Sequence, residues 1–222
     1  TRNEEYYAIC KDFDLKAAWD SFQLETNKQY PLGPKQVKVY WLRENVLKPI
    51  WIELSLLKDP KYSKSDIEYI WETLSNWERK VRMKLLLHMF GKSRKQIAEE
   101  IHGFIYKDYL KDTGLSYPEA FGYNHPDLDP KFYAYYADYD WVVFCWLFGR
   151  MVDLPKGFPM YCRDLQQTCD EVYVARKNEY RGDGYFLESL SQHPDYPKQT
   201  NEHNALADAK WDKDLYKFLK QL

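Results

Sequence analysis

The sequence predicts an α/β protein, and three observations carry that expectation. Short runs rich in aromatic or β-branched residues stand at 5–10 and 132–136, with a third at 160–162. Apolar residues recur at steps of three and four from Asp66 onward, the period of one helical face. Over the C-terminal half, strand, helix, strand and helix follow in succession, the order that builds a layered α/β structure.

Taken in order, Glu5-Tyr6-Tyr7-Ala8-Ile9-Cys10 is the first strand candidate. A loop through Pro31-Leu32-Gly33-Pro34 leads to a helical or turn-rich passage over 41–57, interrupted at Pro49, which has no backbone N–H to donate. Ile67, Ile70, Trp71, Leu74, Trp77, Val81 and Leu85 then share one face of a single helix. Its other face carries Arg79, Lys80, Arg82 and Lys84, with Lys92, Arg94 and Lys95 just beyond. Those charges read as a solvated face, with contact to an RNA backbone as the alternative. Gly91 ends the helix, and Ser93 is placed to cap the next, over 97–104. Gly114, Pro118, Gly122, Pro126 and Pro130 mark a loop. The strand at 132–136 feeds an apolar helix over 141–148 that stops at Gly149, with Trp141, Phe144, Cys145 and Phe148 on its core face. After a turn at 154–159 comes the strand at 160–162, and Asp164 is placed to cap the following helix. A polar loop over 178–201 precedes the last helix, 204–219.

Composition narrows the function classes. A chain of 222 residues that is 45% hydrophobic can bury a full core as one domain, 1–222. The net charge of -2 disfavours a protein that coats nucleic acid by phosphate neutralisation alone, whereas carboxylate-held cations can supply positive charge in a mildly acidic enzyme. Cys10, Cys145, Cys162 and Cys169 lack the paired spacing of a zinc knuckle and read as the reduced thiols of a cytoplasmic protein. No apolar run reaches the ~20 residues of a membrane span.

The candidate chemistry sits near two helix starts. In Glu202-His203-Asn204-Ala205-Leu206-Ala207-Asp208-Ala209, a histidine stands just before the last helix and an aspartate one turn inside it. Five residues apart on one helix, the two side chains would diverge around the axis, but a histidine in the preceding loop can swing over the carboxylate. In Tyr135-Tyr136-Ala137-Asp138-Tyr139-Asp140-Trp141, an aspartate follows the strand and opens the helix. Asp140 is preferred there, with Asp138 as its rival. Tyr136, Tyr139 and Trp141, with Tyr135 beside them, are the candidate nucleic-acid contacts, since a terminal base can stack on an aromatic ring.

The run HNALADA resembles the third exonuclease motif of the DEDDh nucleases, and Tyr135 to Trp141 resembles their second. The stretch YYADYDWVVFCWLFGRMVDLPKGFPMYCRDLQ, over 135–166, is similar to the bacterial and phage 3′-to-5′ exoribonucleases related to RNase T. The resemblance implies an RNase H-like mixed sheet flanked by helices, with 58–91 as a helical insertion. It implies a 3′-to-5′ exoribonuclease that hydrolyses single-stranded RNA 3′ ends with two Mg2+ or Mn2+ ions, and a homodimer. Asp140 and Asp208 would be metal ligands, and His203 the base that deprotonates the attacking water. The family's first motif, an Asp-x-Glu on the opening strand, has no counterpart in residues 1–7. A strand pair of roughly 25 to 35 residues carrying it is therefore expected outside this sequence or from a second chain, and without it the chain is expected to be inactive. The alternatives are an RNase H-like binding or assembly module without catalysis, and a DNA-preferring DEDDh exonuclease.

Overall fold

In the computed structural model, which describes residues 4–27, 35–114, 130–179, 189–200 and 204–222, helices dominate and the sheets are small. The mixed α/β class expected from the sequence is present. Contacts divide the chain into two units, 8–93 and the remainder. The expected insertion, 58–91, falls inside the first.

In the unit 8–93, the expected strand at 5–10 reduces to one bridge, Cys10 paired in parallel with Lys92. Gly91 permits that approach, because a Cβ there would stand 2.5 Å from the Leu87 carbonyl oxygen and 2.9 Å from the Lys11 Cβ. Helix α1 (Leu15–Asp20) is capped by Asp14, which accepts from the Ala17 N–H at 2.8 Å. Strands β1 (Gln23–Asn27) and β2 (Lys35–Val39) then pair antiparallel, Gln23 opposite Val39 and Asn27 opposite Lys35. The stretch after Cys10 through Pro34 was expected to be loop, but it holds α1 and β1. Asp14 starts a helix, and QLETN, polar and poor in β-branched residues, becomes a strand by pairing with KQVKV, while 28–34 lie outside the described residues.

Pro49 does not interrupt the next helix. A π-helical turn, Arg43–Leu47, runs directly into α2 (Lys48–Lys58), so Pro49 falls in the first turn of α2, where a missing N–H is tolerated. The single helix expected over 66–85 is two, α3 (Lys64–Thr73) and α4 (Asn76–Phe90). Ser75 and Glu78 form a capping box, as do Ser63 and Asp66, and each restarts the backbone. That restart shifts the helical phase. Ile67 and Trp71 are buried as expected, but in α4 the inward face is Met83, Leu86 and Leu87, leaving Trp77 72% and Leu85 57% exposed. Trp71 lies at the centre of this core, its ring 5.9 Å from Trp19 and 5.3 Å from Trp51.

In the other unit, α5 (Arg94–Thr113) starts directly after Ser93, and Glu100 on it accepts from the Tyr6 hydroxyl at 2.7 Å. The loop expected from Gly114 to Pro130 lies outside the described residues over 115–129. The strand expected at 132–136 is only β3 (Tyr133–Ala134), and the one expected at 160–162 is β4 (Arg163–Asp164), displaced toward the C-terminus. They pair in parallel, Tyr133 with Arg163 and Ala134 with Asp164. Helix α6 (Ala137–Phe148) begins earlier than the expected 141, because Tyr136 takes a left-handed conformation (φ 54°) that ends β3 at once. Gly149, at φ 118°, closes it. Of the expected core face, Cys145 is buried, while Trp141, Phe144 and Phe148 are half-buried in an aromatic cluster with Phe132 and Phe158. Helices α7 (Leu165–Glu179) and α8 (Ala205–Leu219) enclose Leu165, Cys169, Trp211, Leu215 and Phe218. Among the described residues, no helix is long and apolar enough to cross a membrane.

Candidate functional site

Asp164, the last residue of β4, fixes where two helices start. Its Oδ1 accepts from the Gln166 and Gln167 N–H groups at 2.7 and 3.1 Å, the expected cap of α7. Its Oδ2 accepts from the Ala137 N–H at 2.8 Å, which holds the first residue of α6. One carboxylate thus satisfies free N–H groups of two helix ends. In doing so it fixes the first turn of α6, where Asp140 resides.

Asp208 lies in the first turn of α8. Asn204 caps that helix by accepting from the Ala207 N–H at 3.0 Å, and Gln199 Nε2 donates to Asp208 Oδ1 at 2.9 Å. Asp140 and Asp208 lie in one electrostatic field. The Asp140 carboxyl is raised above the usual carboxylate range, first by lost hydration and then by the negative charge of Asp208. Asp140 and its rival Asp138 are both solvent-exposed residues of the same turn, and it is Asp140 whose carboxyl is shifted by the Asp208 charge.

Asp212 belongs to this field and was not among the sequence candidates. It is half-buried one turn beyond Asp208, and its carboxyl is pushed up to about 6. Burial is the largest cause, opposed by a hydrogen bond from the Tyr135 backbone; the charges of Asp140, Asp208 and Asp164 raise it further. A signal was available, because Asp208 and Asp212 stand four apart on one helix, a like-charge spacing that destabilises a helix without an external partner. Cys162 shares the environment, its thiol pushed up to about 11 by burial and then by Asp140 and Asp164. It stays neutral beside the acids.

The remaining candidates divide. His203 lies outside the described residues. Tyr136 is 56% and Tyr139 81% exposed, so both rings are open to solvent. Trp141 is packed instead, stacked on Phe144 at 5.1 Å and 13° and tilted against Phe132. Among the described residues, no group of three or more His, Cys, Asp and Glu is placed to hold a metal ion. A groove of about 580 Å³ reaches Asp212, Lys131, Tyr133 and Tyr216 but is not lined by Asp140 or Asp208.

The raised Asp212 sets a pH dependence. Folding favours its protonated form, so the stabilisation is complete below the unfolded value near 3.8 and is lost as pH rises through about 6. Asp212→Asn keeps an acceptor for the Tyr135 N–H and removes the charge. In metal-free buffer the variant is expected to be more stable than wild type by on the order of 2 kcal/mol at pH 7. The advantage should vanish near pH 4. Urea unfolding across that range checks it, and parallel pH profiles for the two proteins would refute the shared field.

No family model, characterised protein or solved structure matches this chain.

Proposed function

We propose that this chain is a metal-dependent 3′-to-5′ exoribonuclease of the RNase H-like, DEDDh type. The observation that supports the reading most is the electrostatic pairing of Asp140 with Asp208, two aspartates from distant motifs and separate helices. A carboxylate whose proton affinity is raised by burial and by a second carboxylate suits a divalent cation, whose charge relieves the repulsion. The donor chemistry fits Mg2+ or Mn2+, because hard oxygen ligands match hard cations. Asp140 and Asp208 would be two of the ligands, fewer than a complete set. Bound cations would supply charge neutralisation at the scissile phosphodiester and activation of water.

The chain's own groups divide the remaining tasks. Asp164 holds the first turn of α6 and so positions Asp140, while Gln199 orients Asp208. His203, adjacent to the Asn204 cap, takes the proton from the attacking water. Tyr136 and Tyr139, both exposed, provide faces on which the terminal base stacks. The parallel β3–β4 pair, with Asp140 in the helix after β3, is compatible with an RNase H-like sheet.

Full-length protein with magnesium is expected to shorten a 3′-end-matched, 5′-labelled RNA one nucleotide at a time, and EDTA is expected to stop it. Internal cuts, or RNA left intact, would overturn the reading. Faster shortening of a single-stranded DNA of the same sequence would reassign the substrate to DNA.

A further inference from the structure

Charge is segregated along this chain. Residues 8–93 hold 15 Lys and Arg against 11 Asp and Glu, whereas the remainder holds 17 against 23. The whole-chain value of -2 is the sum of a basic unit and an acidic one.

Within the basic unit, a groove of about 510 Å³ runs between the segment that starts at Lys11 and one face of α4. Lys11, Lys16, Lys80 and Lys84 line it, together with Phe13 and Trp77. Asp12 is the one carboxylate among its described lining residues. Trp77, Lys80 and Lys84 follow at i, i+3 and i+7, which places them on a single helical face, with Lys80 and Lys84 about 6 Å apart along the axis. Elsewhere on α4, Arg79 is engaged: it donates to the Glu72 carbonyl at 3.1 Å and lies over the Trp71 ring. Lys80 makes a long contact of 3.4 Å with Asp20, but Lys11, Lys16 and Lys84 have no ion-pair partner among the described residues. The Trp77 ring is 72% exposed, where burial would ordinarily place so large an apolar group.

We propose that this groove binds single-stranded RNA, with phosphates on Lys11, Lys16, Lys80 and Lys84 and a base stacked on Trp77. Lysines along a track neutralise successive phosphates, and an open aromatic face accepts any base, the combination by which single strands are held without sequence preference. An acidic peptide would satisfy the lysines but leave Trp77 without a role. The choice of RNA rests on the exoribonuclease reading, while the groove itself rests on its own lining.

The test is fluorescence anisotropy of a labelled oligouridylate RNA with full-length protein in EDTA, so that no hydrolysis intervenes. Trp77→Ala, and separately Lys16→Ala with Lys84→Ala, are expected to weaken binding by roughly tenfold each. The double lysine variant should also flatten the dependence of log K on log salt by about 1.4. Circular dichroism should show both variants folded, as expected for exposed positions. Wild-type affinity in both variants would overturn the proposal. So would displacement of the RNA by polyglutamate as readily as by unlabelled RNA, or an altered oligomeric state with RNA affinity unchanged, which would make the groove a contact between copies. RNA bound through the groove but not hydrolysed with magnesium would sink the exoribonuclease alone; hydrolysis with unaffected groove variants would sink the groove alone.

Discussion

Asp208→Ala is expected to lower magnesium-dependent hydrolysis of a 3′-hydroxyl RNA by about a thousandfold, roughly 4 kcal/mol of barrier. Asp208 is held in the first turn of α8 by the Asn204 cap and the Gln199 amide, and its charge is felt at Asp140. Removing it takes away a fixed negative oxygen around which a cation is to be organised. Asp140→Ala should have a similar effect. The two variants carry a second signature that separates loss of chemistry from loss of fold. In metal-free buffer each removes a repelling charge, so its thermal midpoint should equal or exceed that of wild type. Retained hydrolysis in either variant would refute the assignment, and a loss of activity that tracks a lowered midpoint would make the residue structural.

Trp71→Ala is expected to destabilise the 8–93 unit by about 3 to 5 kcal/mol. The side chain is fully buried, in edge contact with Trp51, tilted against Trp19, and covered by the Arg79 guanidinium at 5.1 Å. Alanine there leaves a cavity among rings that cannot close on it. Trp71→Phe should cost far less, about 1 to 2 kcal/mol, because it keeps most of the ring contacts and removes an indole N–H that is buried without a partner among the described residues. Urea unfolding of the full chain measures both. An alanine variant within about 1 kcal/mol of wild type would contradict the central place given to Trp71.

What the sequence made legible depended on range. The last helix was expected over 204–219 and is Ala205–Leu219, because its cap, its apolar period and its end are all local signals. The Asp164 cap was visible for the same reason, but its second oxygen was not, since the bond to Ala137 crosses 27 positions of chain. Helix periodicity misled across Ser75. Ile67 to Leu85 repeats at helical steps, yet the Ser75–Glu78 capping box interrupts it, and a local stop signal outranks a period continued by chance. Asp212 was not singled out, because its environment is assembled from α6, β4 and α8 together. Net charge was misleading in a different way: the basic unit becomes visible only when the chain is divided where its contacts divide.

Calorimetric titration of Mn2+ into full-length protein tests most directly whether Asp140 and Asp208 form a single cation-holding centre. Wild type should bind the ion, and Asp140→Asn and Asp208→Asn should each weaken that binding by at least tenfold. Wild-type affinity in both variants would show that the two carboxylates share a field but no cation.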